Sequence, residues 1–412
     1  MDFAGLFRSY VRDKAEHGNA WPSASLGLKL FALKCRLLPD KSIARGYQKL
    51  ESIMMDHTVS ALTGKRYALT SVFAPHEILL SSGILSLSSE ALSCMLSYGY
   101  GLEDAFIDRT ESLGIAPSLC SYHKAFIGAS DLIPPPCLIV SSSLACDGNL
   151  CSFRYLSETE GLPFSFIDVP YGKDADSIAY LAGQLEELAY SLPSFSLDAL
   201  RKTIEIENAT REELIRFYQL AAARYYPGKL MDQMYGVMAF HSLLGTEELL
   251  DWIRSLCSDL EDAPELTGKR ILWSHVIPFY SEPLRRLFDS SERYQVLASD
   301  MLLDSFTALD SDRPFWSLAE KMVCHAFSGP YNDKLSHLDR ILELYPADGI
   351  IAFSQWGCRQ ASGGLPLLKE HFRKKGIPVL ILDGDAVDRR NSQDGQIGTR
   401  TEAFLELLEG MA

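Results

Sequence analysis

Residues 350 to 358 read Ile-Ile-Ala-Phe-Ser-Gln-Trp-Gly-Cys, an apolar run that ends in a glycine and a cysteine. A short continuous apolar run of this kind is typical of a strand buried inside a parallel sheet. Leu138 to Ser141 form a second such run, and Cys146 follows it by a few residues. Because ligands of open α/β sheets bind beyond the carboxyl ends of parallel strands, Cys358 and Cys146 are both predicted to face a ligand-binding crevice.

Similar runs, separated by helix-length intervals, occur along most of the chain. The candidate strands are Glu77 to Leu80, Leu138 to Ser141, Phe164 to Val169, Ile271 to Ser274, Gln295 to Ala298, Gly349 to Phe353 and Pro378 to Leu382. Strands that alternate with helices predict right-handed crossovers and parallel sheets. We therefore predict an α/β fold with two doubly wound, Rossmann-like domains, each with a parallel sheet, and a cleft between them.

Helical patterns complete the predicted organisation, because 412 residues exceed what one hydrophobic core usually organises. The last helix is predicted to open with a capping box at Thr399-Arg400-Thr401-Glu402. The predicted division is a peripheral helical segment over residues 1–60, a first α/β domain over 61–195, a helical bridge over 196–267 and a second α/β domain over 268–412.

Composition restricts the partners of the chain. Hydrophobic residues make up 47% and charged residues 23%, which is ordinary for a soluble globular protein. The net charge of −15 opposes binding to nucleic acid. The amino terminus lacks the apolar core of a signal peptide. The sequence contains no uninterrupted run of about 20 apolar residues, the length needed to cross a membrane. A cytoplasmic protein is expected.

Several common catalytic motifs are absent. The sequence contains neither a Gly-x-Gly-x-x-Gly turn nor a Gly-x-x-x-x-Gly-Lys-Ser/Thr phosphate loop, so it lacks the usual means of binding ATP. It has no Gly-x-Ser-x-Gly element, which argues against an ordinary serine hydrolase. Neither Cys-x-x-Cys nor His-Glu-x-x-His occurs, which argues against a common zinc site.

The nine cysteines fall into groups. In a cytosolic protein of this size they are not expected to form a disulfide framework. Buried, unreactive thiols are expected at Cys35, Cys94, Cys257 and Cys324, which lie within apolar or helical patterns. Cys120, Cys146 and Cys358 are far apart in sequence, as an iron–sulfur cluster held between domains requires, and three cysteines leave one iron open. Spacing alone also allows ordinary thiols.

A resemblance supports the cluster. Five segments occur in order: Leu119-Cys120-Ser121-Tyr122-His123-Lys124, Ser141-Ser142-Ser143-Leu144-Ala145-Cys146-Asp147, Ile167-Asp168-Val169-Pro170, Gln355-Trp356-Gly357-Cys358 and Leu382-Asp383-Gly384-Asp385. The last leads to Gly395-Gln396-Ile397-Gly398-Thr399-Arg400-Thr401-Glu402-Ala403-Phe404. Together they resemble the 2-hydroxyacyl-CoA dehydratase and benzoyl-CoA reductase family of oxygen-sensitive iron–sulfur proteins, from about Gly114 to the carboxyl terminus.

This resemblance implies a mechanism and partners. It implies a [4Fe-4S] cluster held by Cys120, Cys146 and Cys358, and a separate ATP-hydrolysing iron–sulfur activator protein that injects an electron. It implies an acyl-CoA substrate, a 2-hydroxyacyl thioester whose ketyl radical expels the 2-hydroxyl group, under anaerobic conditions. It also implies a homologous second subunit or a dimer with itself. In such assemblies the substrate lies on one of the two subunits and the other relays electrons, and the sequence allows either role.

Two alternatives remain open. One branch of the family carries a double-cubane cluster and reduces small molecules with extra cysteines near the first two ligands. This chain has no second thiol directly after Cys120, although Cys151 follows Cys146. A homodimeric double-cubane-type reductase or a benzoyl-CoA reductase-like subunit is therefore the alternative within the family. A metal-free α/β binding module is the alternative outside it.

Some polar residues near these cysteines are further candidates. His275, at the end of a predicted strand, is predicted to face the same crevice as a catalytic proton donor or acceptor. The other possibility is a structural histidine bonded to a backbone carbonyl. His123 and Lys124, close to Cys120, can tune the cluster or contact an anionic substrate. They can also be solvated residues at the start of a helix.

An acidic group follows the last predicted strand. Asp383, Asp385 and Asp388 are spaced closely enough to bind a hard divalent cation through their oxygens. The competing interpretation is a polar loop whose charge is offset by Arg389 and Arg390. We favour the polar loop.

Overall fold

Two four-stranded parallel sheets form the framework of the protein. The structure is a computed structural model that describes residues 12–13, 21–97, 101–298 and 300–411. The first sheet has the order β2-β1-β3-β4 and the second has the order β6-β5-β7-β8, with every neighbouring pair parallel. The strands are β1 (Tyr67–Thr70), β2 (Leu85–Ser88), β3 (Leu138–Ser142), β4 (Phe164–Ile167), β5 (Lys269–Ser274), β6 (Tyr294–Ala298), β7 (Gly349–Gln355) and β8 (Val379–Gly384). The predicted α/β class with doubly wound parallel sheets is confirmed.

Helices connect the strands and cover the sheets. Those before and around the first sheet are α1 (Trp21–Leu37), α2 (Arg45–Thr63), α3 (His76–Leu80), α4 (Ser89–Met95), α5 (Glu103–Ser112), α6 (Ser121–Ala129), α7 (Gly148–Glu160) and α8 (Ala175–Ser191). Between the sheets lie α9 (Leu197–Ala221), α10 (Leu230–Leu243) and α11 (Glu247–Glu261). The second sheet carries α12 (Glu282–Phe288), α13 (Pro314–Val323), α14 (Tyr331–Leu344), α15 (Arg359–Ser362), α16 (Leu365–Lys374) and α17 (Asp394–Gly410). Within the described ranges, no helix has both the length and the apolar character needed to span a bilayer.

The central strands have the apolar sequences that identified them. Strand β7 lies between β5 and β8, with Ile351 opposite Trp273 on one side and Leu380 on the other. Ile350 and Phe353 are fully buried because helices cover both faces of the sheet. Pairing on both edges and burial on both faces explain why this run is continuous and does not alternate with polar residues.

One predicted strand is wrong. Residues 77–80 belong to helix α3 (His76–Leu80), and the first sheet instead uses β1 and β2, which the sequence analysis missed. A run of four or five apolar residues does not show whether it is a strand or a helix by periodicity alone. Pro75 precedes α3 as its N-cap residue and suits the start of a helix, because proline cannot donate a backbone hydrogen bond.

The predicted capping box of the last helix is also wrong. Helix α17 begins at Asp394, five residues before the predicted start at Thr399. Thr399 and Thr401 therefore lie inside the helix. Their hydroxyls donate to the carbonyls of Gly395 at 3.0 Å and Ile397 at 2.8 Å, the bond back to the preceding turn that Ser and Thr make within helices.

The segments predicted to be peripheral or connecting contribute to the core. Helix α10, in the predicted bridge, contacts β2 of the first sheet and β6 of the second. Helix α2 packs on α10 and α11 and extends past residue 60, with Tyr47 and Leu50 buried. One continuous set of buried apolar side chains includes Val140 of the first sheet and Ile350 of the second. The two sheets therefore share a hydrophobic core through the bridging helices.

Candidate functional site

The three cysteines singled out from the sequence lie together where the two halves of the protein meet. Cys146 follows β3 and Cys358 follows β7, so each lies beyond the carboxyl end of a central strand. Cys120 is the N-cap residue of α6. The charges of Cys358 and Cys146 both raise the pKa of Cys120, so the three thiols are close enough to interact electrostatically. The fold thus brings together thiols from three distant segments.

A glycine allows the closest approach between two of these segments. Gly357 has a φ of +70°, in the left-handed region. A Cβ atom at this position would lie 2.9 Å from both the Cys120 nitrogen and the Ser118 carbonyl oxygen. Only glycine satisfies both the backbone angle and the contact. The chain that carries Cys358 therefore packs directly against the backbone of Cys120.

Partial burial favours the neutral form of the three thiols. Loss of solvation is the main cause that raises the pKa of Cys120 well above its usual value, raises that of Cys146 to about 12, and raises that of Cys358. Repulsion between the sulfur charges adds to the effect at Cys120 and Cys146. The positive charge of Lys334 also reaches Cys358, but this lysine is paired with Asp300 at 3.0 Å. The site therefore lacks enough positive charge to stabilise three thiolates.

Two histidines contact the thiols. His123 Nε2 lies 3.2 Å from Cys146 Sγ, and His275 Nε2 lies 3.9 Å from Cys358 Sγ. Burial lowers the pKa of His123 to about 4 and is the main cause that lowers the pKa of His275 to about 3. Within the described part of the chain, Nδ1 of each ring is buried and has no hydrogen-bond partner. Both imidazoles are therefore neutral rings directed at sulfur.

The backbone of His275 is held in an uncommon conformation. Its φ is +72°, although histidine is not glycine. The His275 N–H donates to Asp300 Oδ1 at 2.8 Å, and Ser274 Oγ donates to Asp300 Oδ2 at 2.6 Å. These bonds hold a left-handed residue next to the thiols, as is common where strain serves a site. The catalytic role of His275 remains a prediction.

Lys124 has a structural position. Its side chain is 2% exposed, and Nζ donates to Glu111 Oε1 at 2.7 Å and to the Pro117 carbonyl at 2.9 Å. Neither solvation at the start of the helix nor contact with an anionic substrate fits a lysine whose donors are used inside the protein. The contacts instead tie α6 to the end of α5 and so support the segment that carries Cys120.

The acidic group after β8 does not converge on a common point. Asp383 is exposed and lies 3.5 Å from Arg400, whereas Asp388 pairs with Arg390 at 2.9 Å. Asp385 is completely buried among hydrogen-bond donors. Across the described ranges, no three His, Cys, Asp or Glu side chains are close enough to hold a single metal ion. The favoured interpretation of a polar loop fits the structure.

The remaining thiols differ in exposure. Cys35, Cys94 and Cys257 are buried, as expected. Cys324 is exposed at the end of α13, so its predicted burial is wrong, because the run that suggested it ends at the helix terminus. Cys151 is also exposed, on α7.

A cavity of about 190 Å³ lies next to the three-cysteine site and is lined by both halves of the protein. Leu144, Val169 and Phe327 supply apolar walls, and Asp147 and Arg359 lie at its edge, each next to a cysteine of the site. Arg359 and Asp147 form an ion pair of 2.8 Å between the two halves. Ser143, Asp168 and Gln360 add polar lining, so the cavity can accept a group with both polar and apolar parts beside the thiols.

Sequence reasoning missed residues that support this site from a distance. Lys334 and Asp300 surround His275, and Ser121 and Gln355 form hydrogen bonds beside the cysteines. Asp300 had one available signal, since it follows β6 at the same edge of the sheet as His275. Ser121 and Gln355 lie within two segments that carry the family resemblance, whereas Lys334 has no local pattern that distinguishes it from an ordinary lysine.

The chain is similar to known proteins over most of its length. Residues 71–408 match the family described as 2-hydroxyglutaryl-CoA dehydratase, D-component. The alpha subunit of (R)-phenyllactyl-CoA dehydratase from Clostridium sporogenes is 20% identical over 81% of this chain and 87% of its own length. A benzoyl-CoA reductase chain from Thauera aromatica is 21% identical over 73% and 78%, and the alpha subunit of lactoyl-CoA dehydratase from Anaerotignum propionicum is 21% identical over 82% and 89%. Because the match spans most of the sequence, the chain belongs to the 2-hydroxyglutaryl-CoA dehydratase D-component family.

Proposed function

We propose that this protein is the [4Fe-4S] subunit of an activator-dependent 2-hydroxyacyl-CoA dehydratase, with Cys120, Cys146 and Cys358 as cluster ligands. Its family and relatives identify it as a component of a dehydratase-like enzyme. The observation that carries the proposal is the meeting of three partly buried thiols, from three separate segments, beside a cavity between the two halves.

The donor set fits a cluster. Sulfur is the ligand that iron–sulfur clusters take, and each thiolate binds a different iron, so the sulfur atoms need not converge as the ligands of one ion do. Loss of solvation raises the pKa values of these thiols, and bound iron would supply the positive charge that stabilises their thiolates. Three cysteines leave one iron position without a protein thiolate.

The residues around the thiols would bind and orient the substrate. When bound, the cluster would supply one electron to the substrate thioester. Leu144, Val169 and Phe327 would hold the acyl group in the cavity and exclude water from it. His275 would donate a hydrogen bond from Nε2 to the sulfur of Cys358 and so support this ligand. Hydrogen bonds to ligand sulfur atoms tune the potential of such clusters.

Two partner proteins belong to the proposal. The chain contains no phosphate-binding loop, so ATP hydrolysis would reside in a separate iron–sulfur activator protein. The relatives are named as alpha and beta subunits, which supports a homologous second subunit or a second copy of this chain. The acyl-CoA substrate would be a 2-hydroxyacyl thioester.

Iron and sulfide analysis of the anaerobically purified protein tests the proposal, together with its electron paramagnetic resonance spectrum. About four irons per chain is expected for a single cubane cluster. About eight irons would favour the double-cubane-type reductase, for which the exposed Cys151 is the available extra thiol. A colourless protein without iron would overturn the proposal and favour a binding module.

A further inference from the structure

The loop that follows β8 reaches from the second half of the protein onto the first. Ser97 Oγ, beyond the end of α4, donates to the Val387 carbonyl at 3.2 Å. Arg390 forms an ion pair with Asp108 of α5 at 2.6 Å. These contacts fix the loop across the junction, close to two of the three cysteines.

Asp385 occupies the centre of this junction. It is completely buried, and its Oδ2 accepts a hydrogen bond from the hydroxyl of Ser121, the residue after Cys120. Its Oδ1 accepts from Gln355 Nε2 at 2.9 Å, and Gln355 is the last residue of β7, three positions before Cys358. One carboxylate therefore binds both segments that carry a proposed ligand.

The contact between these segments leaves little freedom. Gly357 packs against the Cys120 backbone with no room for a Cβ atom, so a small displacement of either segment would separate them or make them clash. The other polar atom of the Gln355 amide is also held, because Oε1 accepts a hydrogen bond from the Ala386 N–H at 2.7 Å. Asp385 and Ala386 thus fix the position of the end of β7 relative to the start of α6.

The carboxylate of Asp385 is hydrogen-bonded by neutral groups and forms no ion pair with the residues that the structure describes. Its partners are neutral donors: Ser121, Gln355, Asn391 at 3.2 Å, and the backbone N–H groups of Val387 and Asp388 at 2.9 and 3.0 Å. Asp388, in the same loop, instead pairs with an arginine. The negative charge of Asp385 is therefore stabilised by hydrogen bonds, one of which comes from Ser121, the residue next to Cys120. A fixed negative charge opposes the addition of an electron nearby.

We propose that Asp385 is a positioning residue with two effects: it fixes the Cys120 segment relative to the Cys358 segment, and its charge lowers the reduction potential of the cluster. The second effect rests on the proposed function. The first concerns the polypeptide alone and can be tested without a cluster.

The variant Asp385→Asn tests the effect of the charge. Asparagine has the same shape, and the Ser121 hydroxyl and the Asn391 amide can each reverse their hydrogen bonds to match it. We expect iron content close to that of the unmodified protein and a midpoint potential shifted to more positive values in an anaerobic redox titration followed by electron paramagnetic resonance. Asp383→Asn, two residues away and exposed, should leave the potential unchanged. An unshifted potential in Asp385→Asn would overturn this effect.

The variant Asp385→Ala tests positioning in the cluster-free full chain. Dibromobimane becomes fluorescent when it bridges two neighbouring thiols, and mass spectrometry identifies the bridged peptides. We expect a Cys120–Cys358 bridge in the unmodified protein and in Asp383→Asn, and a several-fold lower yield in Asp385→Ala. Ser121→Ala removes a single hydroxyl and should lower the yield of the bridge as well. If circular dichroism shows that Asp385→Ala is unfolded, the yield in Ser121→Ala tests the positioning effect instead.

The outcomes separate this inference from the proposed function. An unchanged bridge in folded Asp385→Ala, or in Ser121→Ala where the first variant does not fold, would overturn the positioning effect. An unmodified protein that binds no iron would remove the proposed function and the effect on potential, while a bridge that depends on Asp385 would still support positioning.

Discussion

The three-cysteine site and a cluster of buried ion pairs both lie at the junction between the halves of this protein. In the ion cluster the buried charges are paired with opposite charges, whereas at the three-cysteine site they are not. In the buried ion cluster, Lys321 Nζ lies 2.6 Å from Glu77 Oε1 and 2.9 Å from Glu207 Oε1, and Arg211 pairs with Glu207 at 2.6 Å. All four side chains are almost inaccessible to solvent. This cluster joins α3 of the first half to α9 and to α13 of the second half.

The direction of the pKa shifts shows the contrast. Burial alone would raise the pKa of Glu77, but Lys321 and His76 outweigh it, so the pKa lies below its usual value. At Cys120 burial raises the pKa, and the neighbouring thiols raise it further. Buried ionisable groups that find an opposite charge inside the protein serve its structure. Groups that do not find one, beside a cavity, are candidates for a functional site.

Removal of a thiol should have the largest effect. We expect Cys358→Ala to lose nearly all of its cluster, because two remaining cysteines cannot hold the cube against exchange with solvent. Cys151→Ser, which changes an exposed thiol outside the site, is the matched control and should retain the iron content of the unmodified protein. Iron analysis after anaerobic purification measures both. Full iron content in Cys358→Ala would remove this residue from the ligand set.

Removal of the central cation of the ion cluster should have the next largest effect. We expect Lys321→Met to lower the free energy of unfolding by about 3–5 kcal/mol, because the buried carboxylate of Glu77 loses its lysine partner and Glu207 keeps only Arg211. Lys173→Met is the control: Lys173 pairs with Asp333 at 2.7 Å, but both side chains are about one third exposed, so the loss should stay below about 1 kcal/mol. Denaturant unfolding of the cluster-free proteins measures the difference, and equal losses would contradict the contrast.

Disturbing the contact between Gly357 and the Cys120 backbone should lower the free energy of unfolding by a smaller amount. Gly357→Ala adds a methyl group against the Cys120 backbone, and we expect destabilisation by about 1–3 kcal/mol and a several-fold loss of cluster content. Gly376→Ala has a similar φ of +74° but open space around its Cβ position, so it reports backbone strain alone. Iron content and thermal unfolding separate the two contributions. Equal iron content in both variants would show that the contact is not needed.

Acid should weaken the region of the ion cluster by the smallest amount. Burial is the main cause that lowers the pKa of His241 to about 4, and its Nε2 donates to the Met301 carbonyl at 2.6 Å. In the unfolded chain the histidine pKa is about 6.5. Between these values the unfolded state binds the additional proton, so this contribution to stability is complete above about pH 6.5 and declines as the pH falls towards 4.

The expected loss from His241 between pH 7 and 5.5 is about 1 kcal/mol. His241→Gln keeps a donor near the Met301 carbonyl and should flatten the pH dependence of the unfolding free energy over this range. His371→Gln changes a partly exposed histidine beside Asp339 and serves as the control. A slope that stays unchanged in His241→Gln would show that other groups cause the loss.

Much of the fold could be read from local patterns. The runs that became β3, β5, β7 and β8 are continuous and apolar because these strands are buried between helices, and the rule for parallel sheets placed Cys146 and Cys358 at their carboxyl ends. The pattern failed at residues 77–80, where a charged residue is buried through a partner on α13. Periodicity contains no information about such a partner.

The sequence by itself determined the α/β class, the parallel sheets and the two strand ends that carry cysteines, because these depend on runs of neighbouring residues. Only the tertiary structure decided that Asp385 bonds to Ser121 across 264 positions and that Lys321 meets Glu77 across 244. A contact between distant residues depends on how whole helices and sheets pack. The polar atoms that meet there have no local signature in the chain.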